Sequence, residues 1–192
     1  MFALDKSALR KSALKARDAT DPDWRIEQSL ALSKYAGTLA LSDGEIVSGF
    51  LPIRSEIDLR PLMNALHAYR VTLCLPVVLD PQTITFRRYV PEMPLVDTGF
   101  GTQGPGSDVA TVDPNIMLMP LAAFDARGNR LGYGAGHYDR AIARFHALGR
   151  KPRLVGCAFA CQRVEIIPAE PHDVPLDAIL TEEGLHHFPD RA

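Results

Sequence analysis

A chain of 192 residues, 46% hydrophobic and 23% charged, has the composition of an ordinary globular protein and a length that suits one domain, read here as residues 1–192. A formal net charge of −2, from 21 basic and 23 acidic side chains, speaks against a nonspecific nucleic-acid binder, which needs a basic surface. No apolar run reaches the ~20 residues of a membrane span, and residues 1–19 lack the apolar core of a secretory signal. The three cysteines, Cys74, Cys157 and Cys161, cannot all pair within one chain, and they fit reduced thiols in a cytoplasm.

In chain order, residues 5–19 read as a helix capped by Asp5. Asp21-Pro22 opens a second helix that runs through Trp24, Leu30 and Leu39 toward Ser42-Asp43-Gly44. EIVSGFLP (45–52) reads as a strand, and Asp58 caps a helix through Leu66. VTLCLPVV (71–78) is another strand, and TITFRRYV (83–90) alternates as a more exposed one. Residues 91–115 are rich in Pro and Gly and carry no period, a segment suited to walling or covering a site. The apolar run IMLMPLAAF (116–124) reads as a buried strand, 138–148 as a helix, RLVGCAFA (153–160) as a strand and DAILT (177–181) as the last strand; His186-His187 reads as a frayed surface tail. Helices alternating with short apolar strands predict an α/β fold, a three-layer α/β/α single domain with a mostly parallel sheet. Ligands in such sheets sit at the carboxyl ends of strands, so the loops after 51, 78, 121 and 160 are expected to converge.

The most informative stretch is FDARGNRLGYGAGHYDR, Phe124 to Arg140, with Gly128, Gly132, Gly134 and Gly136. Close-set glycines let backbone N–H groups approach a ligand, and a helix N-terminus directly after them favours an anion. Arg130 and Arg140 add positive charge, and Asp139 is placed to hold a metal, so the chemistry suggested is a nucleotide phosphate with Mg²⁺. The spacing G-x-G-x-G matches neither the dinucleotide fingerprint nor the P-loop.

Other side chains carry two readings each. Lys6 and Arg10 share a helical face that Arg17 extends; they suit a phosphate grip or a solvated basic stripe. Glu56, just after a strand, suits the paired N–H donors of an amino-heterocycle or a surface position beside Arg54. Asp139 and Asp173 suit Mg²⁺, or a helix cap and a turn beside proline. His137 suits ring stacking or a plain helix start. No nucleophilic triad is evident.

The string from Phe124-Asp125 through Arg130-Leu131-Gly132-Tyr133-Gly134-Ala135-Gly136-His137-Tyr138-Asp139 resembles the signature of the 5-formyltetrahydrofolate cyclo-ligase family, and the resemblance extends over nearly the whole chain. It implies an ATP- and Mg²⁺-dependent enzyme that converts 5-formyltetrahydrofolate to 5,10-methenyltetrahydrofolate, with ADP and phosphate as co-products. By that resemblance Lys6, Arg10 and Arg130 neutralise phosphate charge, and the loop Leu131 to Tyr138 lies along ATP. Leu51, Glu56, Tyr133, Gly134, Ala135, Gly136 and His137 line the folate, and Asp139 and Asp173 are the magnesium ligands. The chain departs from the family pattern at Ala135, where some members have Lys, at His137, where Tyr is common, and at Leu59, where Thr is frequent. Two other classes remain in view: a sugar-phosphate isomerase or transferase on a similar scaffold, and a non-catalytic folate or nucleotide binder. Oligomeric state is open from sequence, with a monomer as the working expectation and neither nucleic acid nor membrane as a partner.

Overall fold

A computed structural model describes residues 5–99, 101–170 and 173–189. Helix α1 (Lys6–Asp18) starts where Asp5 accepts the Ser7 N–H at 2.9 Å, and α2 (Pro22–Ala31) where Asp21 accepts the Trp24 N–H at 2.9 Å. Each aspartate satisfies a donor that the helix start would otherwise leave unpaired. α2 tightens into a 3₁₀ segment, Leu32–Leu39. The remaining helices are α3 (Arg60–Leu66) and α4 (His137–Ala147). Asp58 accepts the Arg60 N–H at 2.9 Å at the start of α3, one residue before the cap position, Leu59.

Seven strands make one sheet: β1 (Ile46–Ser48), β2 (Thr72–Asp80), β3 (Thr83–Tyr89), β6 (Ile116–Pro120), β9 (Arg153–Cys157), β10 (Ala178–Thr181) and β11 (Gly184–His187). Two hairpins stand apart from it, β4 (Val96–Gly99) with β5 (Thr102–Gly104), and β7 (Ala123–Phe124) with β8 (Arg130–Leu131). The order in the sheet is β11-β10-β9-β6-β1-β2-β3; the inner five strands are parallel and the two edges antiparallel. Period-two alternation decides what each face meets. On β6, Ile116 and Leu118 join Val47, Leu73 and Val155 under Leu62, Met63 and Leu66 of α3. Met117 and Met119 point the other way, to Phe86 and to Ile142 and Phe145 of α4. The sheet is therefore covered on both faces, as the α/β/α expectation requires. A third, small cluster of Ala13, Ala123, Leu131 and Ile167 seats α1 on the β7–β8 hairpin.

The structure corrects several sequence expectations. The strand expected over 45–52 leaves the sheet after Ser48, because Gly49 crosses Met63 so closely that a Cβ there would collide with its sulfur. The run 116–124 is two strands, broken after Pro120; its second half belongs to the hairpin β7–β8. Residues 91–115 carry β4 and β5. DAILT is not the last strand, since His186 and His187 pair with Ile179 and Ala178 on β11. Cys74 and Cys157 are buried, and burial pushes both thiols up, whereas Cys161 is exposed. Among the described residues no helix is long and apolar enough to cross a membrane.

Asp125 organises the hairpin that carries the glycine loop. It is fully buried and accepts the N–H groups of Arg127, Asn129 and Ile167 and the Asn129 amide, at 2.8 to 3.0 Å. Asp125→Ala leaves buried donors without partners and is expected to cost on the order of 3 kcal/mol or more. For a chain this long, that lowers the melting temperature by about 6–12 °C. A thermal melt of the purified variant checks this.

Candidate active site

The carboxyl ends of β1, β2 and β6 open into a cavity of about 480 Å³. Its apolar lining comes from Phe50, Leu51 and Ile53 after β1, Leu75, Pro76 and Val78 on β2, and Ile84 on β3; Thr102 and Gln103 of β5 close one side. The segment 91–115 therefore does wall the site. After 160 the 3₁₀ turn Ala160–Gln162 does not reach the cavity, and the segment that follows it contributes Asp173. The polar lining is Lys6, Glu56, Asp173 and the continuous run Arg130 to Asp139. Lys6, Leu51, Glu56, Asp173 and the run Arg130 to Asp139 thus line one cavity; Arg10, Arg17 and Arg140 do not line it, and Arg10 reaches the loop through the Gly132 carbonyl.

The glycine loop joins β8 to α4, and its glycines are not equivalent. Gly134 (φ +102) and Gly136 (φ +67) adopt left-handed backbone, and a Cβ on Gly136 would lie 2.8 Å from Arg140 Nη1. Gly132 has open space around the position of a Cβ, and its carbonyl accepts Arg10 Nε–H at 2.7 Å. Gly136 is the N-cap of α4, with no side chain satisfying the first turn, so the N–H groups there remain directed at the loop. Arg140 supplies no charge to the cavity: it donates to Gln82 O at 2.5 Å and to Ala135 O at 2.7 Å. His137 Nε2 lies 3.0 Å from Pro81 O, so this nitrogen carries the proton. Helix α4 is pinned by both contacts to the β2–β3 turn.

Two charged groups face the cavity. In the first, Arg130 donates to Asp139 Oδ1 and to the Val174 carbonyl, while Lys6 Nζ pairs with Asp173 Oδ2 at 3.0 Å and Glu170 Oε1 at 2.9 Å. Burial pulls the Arg130 guanidinium down, against Asp139 and Asp173. Burial also opposes the Lys6 charge, but Glu170 and Asp173 outweigh it and hold the ammonium above its usual range. The basic stripe of α1 is therefore engaged throughout: Lys6 in ion pairs, Arg10 on the loop, and Arg17 buried, which overturns the solvated-face reading.

The second group surrounds Glu56. A tight turn, with Arg54 at φ 54, returns the Glu56 carboxylate onto Ile53 N–H at 2.9 Å. Its other oxygen, Oε1, is buried without a hydrogen-bond partner. Burial, the largest cause, pushes Glu56 above the ordinary carboxylate range, against the Tyr133 hydroxyl, the Ile53 N–H and the Arg17 charge. The Tyr138 hydroxyl is likewise buried and unpartnered, and burial pushes it up. A buried acceptor and a buried hydroxyl left open on a cavity wall are groups for a ligand to satisfy.

Sequence reasoning missed Arg17 and the apolar residues of β2 and β3. Spacing on α1 placed Arg17 beside Arg10, but no local signal shows that α1 lies across the loop.

Asp139 and Asp173 fit a magnesium ion. Mg²⁺ uses one or two carboxylates and completes its shell with phosphate oxygens and water, and both aspartates line the same cavity beside Arg130. Among the described residues no group of three or more His, Cys, Asp or Glu side chains is set to hold a metal.

This is a three-layer α/β protein with a cavity at the strand ends, lined by a helix N-terminus and by opposed cations and carboxylates. Residues 3–182 match the model of the 5-formyltetrahydrofolate cyclo-ligase family, and the chain belongs to that family. It is 40% identical to the 5-formyltetrahydrofolate cyclo-ligase of Haemophilus influenzae over 132 residues, 65% of this chain and 69% of that one. It is 32% identical to the Escherichia coli K12 5-formyltetrahydrofolate cyclo-ligase over 166 residues, 81% of this chain and 90% of that one. The NMR structure of Aquifex aeolicus 5,10-methenyltetrahydrofolate synthetase superposes with a TM-score of 0.77 at 29% identity, covering 97% of this chain and 94% of that one.

The glycine geometry predicts a contrast. Gly136→Ala places a side chain in left-handed backbone, at about 1–2 kcal/mol, and displaces Arg140 from Ala135; the expected loss of melting temperature is about 2–8 °C. Gly132→Ala is expected to stay within about 0.5 kcal/mol of the parent. Paired thermal melts distinguish them.

Proposed function

We propose that this protein catalyses the ATP-dependent cyclisation of 5-formyltetrahydrofolate to 5,10-methenyltetrahydrofolate, releasing ADP and phosphate. The observation that carries the reading is the composition of one cavity wall: a buried, half-satisfied carboxylate and an apolar slot beside a glycine loop, with Arg130, Lys6, Asp139 and Asp173 around it. Family membership supports the same substrate.

The formamide oxygen of the substrate is a poor leaving group. Its attack on the γ-phosphoryl group of ATP forms an O–P bond, releases ADP and makes the formyl carbon electrophilic. The N10 amine then attacks that carbon, loses its proton, and expels phosphate as the ring closes. Phosphoryl transfer depends mainly on positioning and charge neutralisation, which matches a wall rich in cations and backbone N–H groups with no catalytic triad. Arg130 and Lys6 are the cations that would exchange carboxylate partners for phosphate oxygens, and Arg10 holds the loop in shape through Gly132. Asp139 and Asp173 would hold Mg²⁺, which supplies charge neutralisation to the phosphates when bound. Glu56, kept unpaired at Oε1, would accept the pterin N–H donors, with Leu51 and Phe50 against the ring. Of the departures from the family pattern, Ala135 contributes no charge, and His137 is held at the Pro81 carbonyl. Action as a monomer in the cytoplasm completes the reading.

The direct test is the rise of methenyl-folate absorbance with ATP, Mg²⁺ and 5-formyltetrahydrofolate; no product and no ATP consumption by folded protein would reject the reading. Glu56→Gln adds a donor where the carboxylate meets N–H groups, so it is expected to raise the folate KM well above any change in the ATP KM. Asp139→Asn is expected to keep the fold and to need far more Mg²⁺ for half-maximal rate; a magnesium titration unchanged from wild type would leave Asp139 as a partner of Arg130 only.

A further inference from the structure

Arg17 has no part in the phosphate chemistry above, yet its side chain is only 2% exposed. Removing a guanidinium from water is costly unless its donors are used. Here the donors go to two different segments of the site. Nε donates to Ser55 Oγ at 3.0 Å, and Nη1 donates to Tyr133 Oη at 2.6 Å. The guanidinium carbon lies 5.9 Å from the centroid of the Tyr133 ring. Ser55 immediately precedes Glu56 in its turn, and Tyr133 is on the glycine loop; Glu56 and Tyr133 both line the cavity. The ion pair with Asp18 is long, 4.0 Å, and Asp18 is 61% exposed, so this carboxylate does little to account for the buried charge.

We propose that Arg17 is a positioning residue for the folate: it holds the Glu56 turn, through Ser55, and Tyr133 in fixed relation. The proposal rests on the reading of Glu56 as the carboxylate that receives the pterin N–H groups. The groups that face Glu56 are Arg17 from α1, Tyr133 from the glycine loop, Tyr138 from α4 and the Ile53 N–H of its own turn. Burial raises the Glu56 pKa and Arg17 lowers it. With Arg17 removed, burial is less opposed, Glu56 stays protonated to a higher pH, and folate recognition fails earlier as pH falls.

The test is steady-state kinetics of the full chain across the acid side of neutrality, with Arg17→Met, Arg17→Lys and Glu56→Gln. Arg17→Met is expected to raise the folate KM roughly tenfold or more, the scale of a lost hydrogen bond to a charged group. The ATP KM should move less, and the acid limb of kcat/KM for folate should shift upward. Arg17→Lys keeps the charge but not the two-pronged geometry, so it should restore the limb and only part of the KM. Removing Arg17 from the Glu56→Gln protein should shift no limb. A folded Arg17→Met enzyme with the wild-type folate KM and limb overturns the proposal, as does an equal rise in both KM values with the limb in place. Should Arg17→Met fail to fold, Arg17→Lys and Tyr133→Phe decide: a raised folate KM with an unchanged ATP KM supports the role, and wild-type values for both overturn it. Failure of the underlying reading is distinguishable, because Glu56→Gln with a wild-type folate KM removes Glu56 from the folate site whatever Arg17 does.

Discussion

The site depends on a carboxylate that never meets a ligand. Asp125 sits at the head of the β7–β8 hairpin with its oxygens turned inward, onto the N–H groups of its own turn and of Ile167. That arrangement sets where β8 begins, and β8, two residues long, runs straight into the glycine loop. Gly128, at φ +78 and packed against Leu176 O and Phe188, completes the turn with no room for a side chain. The loop then carries two left-handed glycines into the first turn of α4. Buried polar groups that are fully satisfied specify one arrangement of their surroundings, and here the surroundings include the glycine loop of the cavity wall.

Around that wall, positive and negative groups are interleaved. Arg130 is held by Asp139 and the Val174 carbonyl, Lys6 by Asp173 and Glu170, Arg10 by a backbone oxygen and Arg17 by two hydroxyls. Each cation arrives with its geometry already constrained. Ordering a long side chain on binding costs affinity, and fixing it beforehand removes most of that cost. The affinity of such a site for a phosphate is then a difference, the new pair minus the old one.

Much of the architecture is legible in sequence because its causes are local. Period-two runs such as IMLMP and the caps Asp5 and Asp21 act within a few residues, and each is found where its chemistry places it. Boundaries fail where the cause is distant. β1 is cut short by the approach of Gly49 to Met63 on α3, and β11 pairs only because β10 offers an open edge. The site follows the same division. The glycine string is self-announcing, and Lys6, Glu56, Asp139 and Asp173 line the same cavity. Arg17 is illegible: from spacing it belongs with a solvated stripe, and only the crossing of α1 over the loop, driven by Ala13, Ala123, Leu131 and Ile167, buries it. Arg140 fails in the opposite sense, since a cation beside the glycines is consumed by the β2–β3 turn.

The contacts that join α1 to the cavity span long stretches of chain: 122 residues from Arg10 to Gly132, 116 from Arg17 to Tyr133 and 167 from Lys6 to Asp173. During synthesis α1 leaves the ribosome well before the segments it must meet. Its basic face and apolar stripe therefore wait without partners until the β7–β8 hairpin and the segment through Asp173 have been made. Closing loops of this length carries an entropic cost that only later contacts offset, which slows the step that needs them. Ligand competence is in this sense a late event of folding, gained when α1 docks on parts of the chain made long after it.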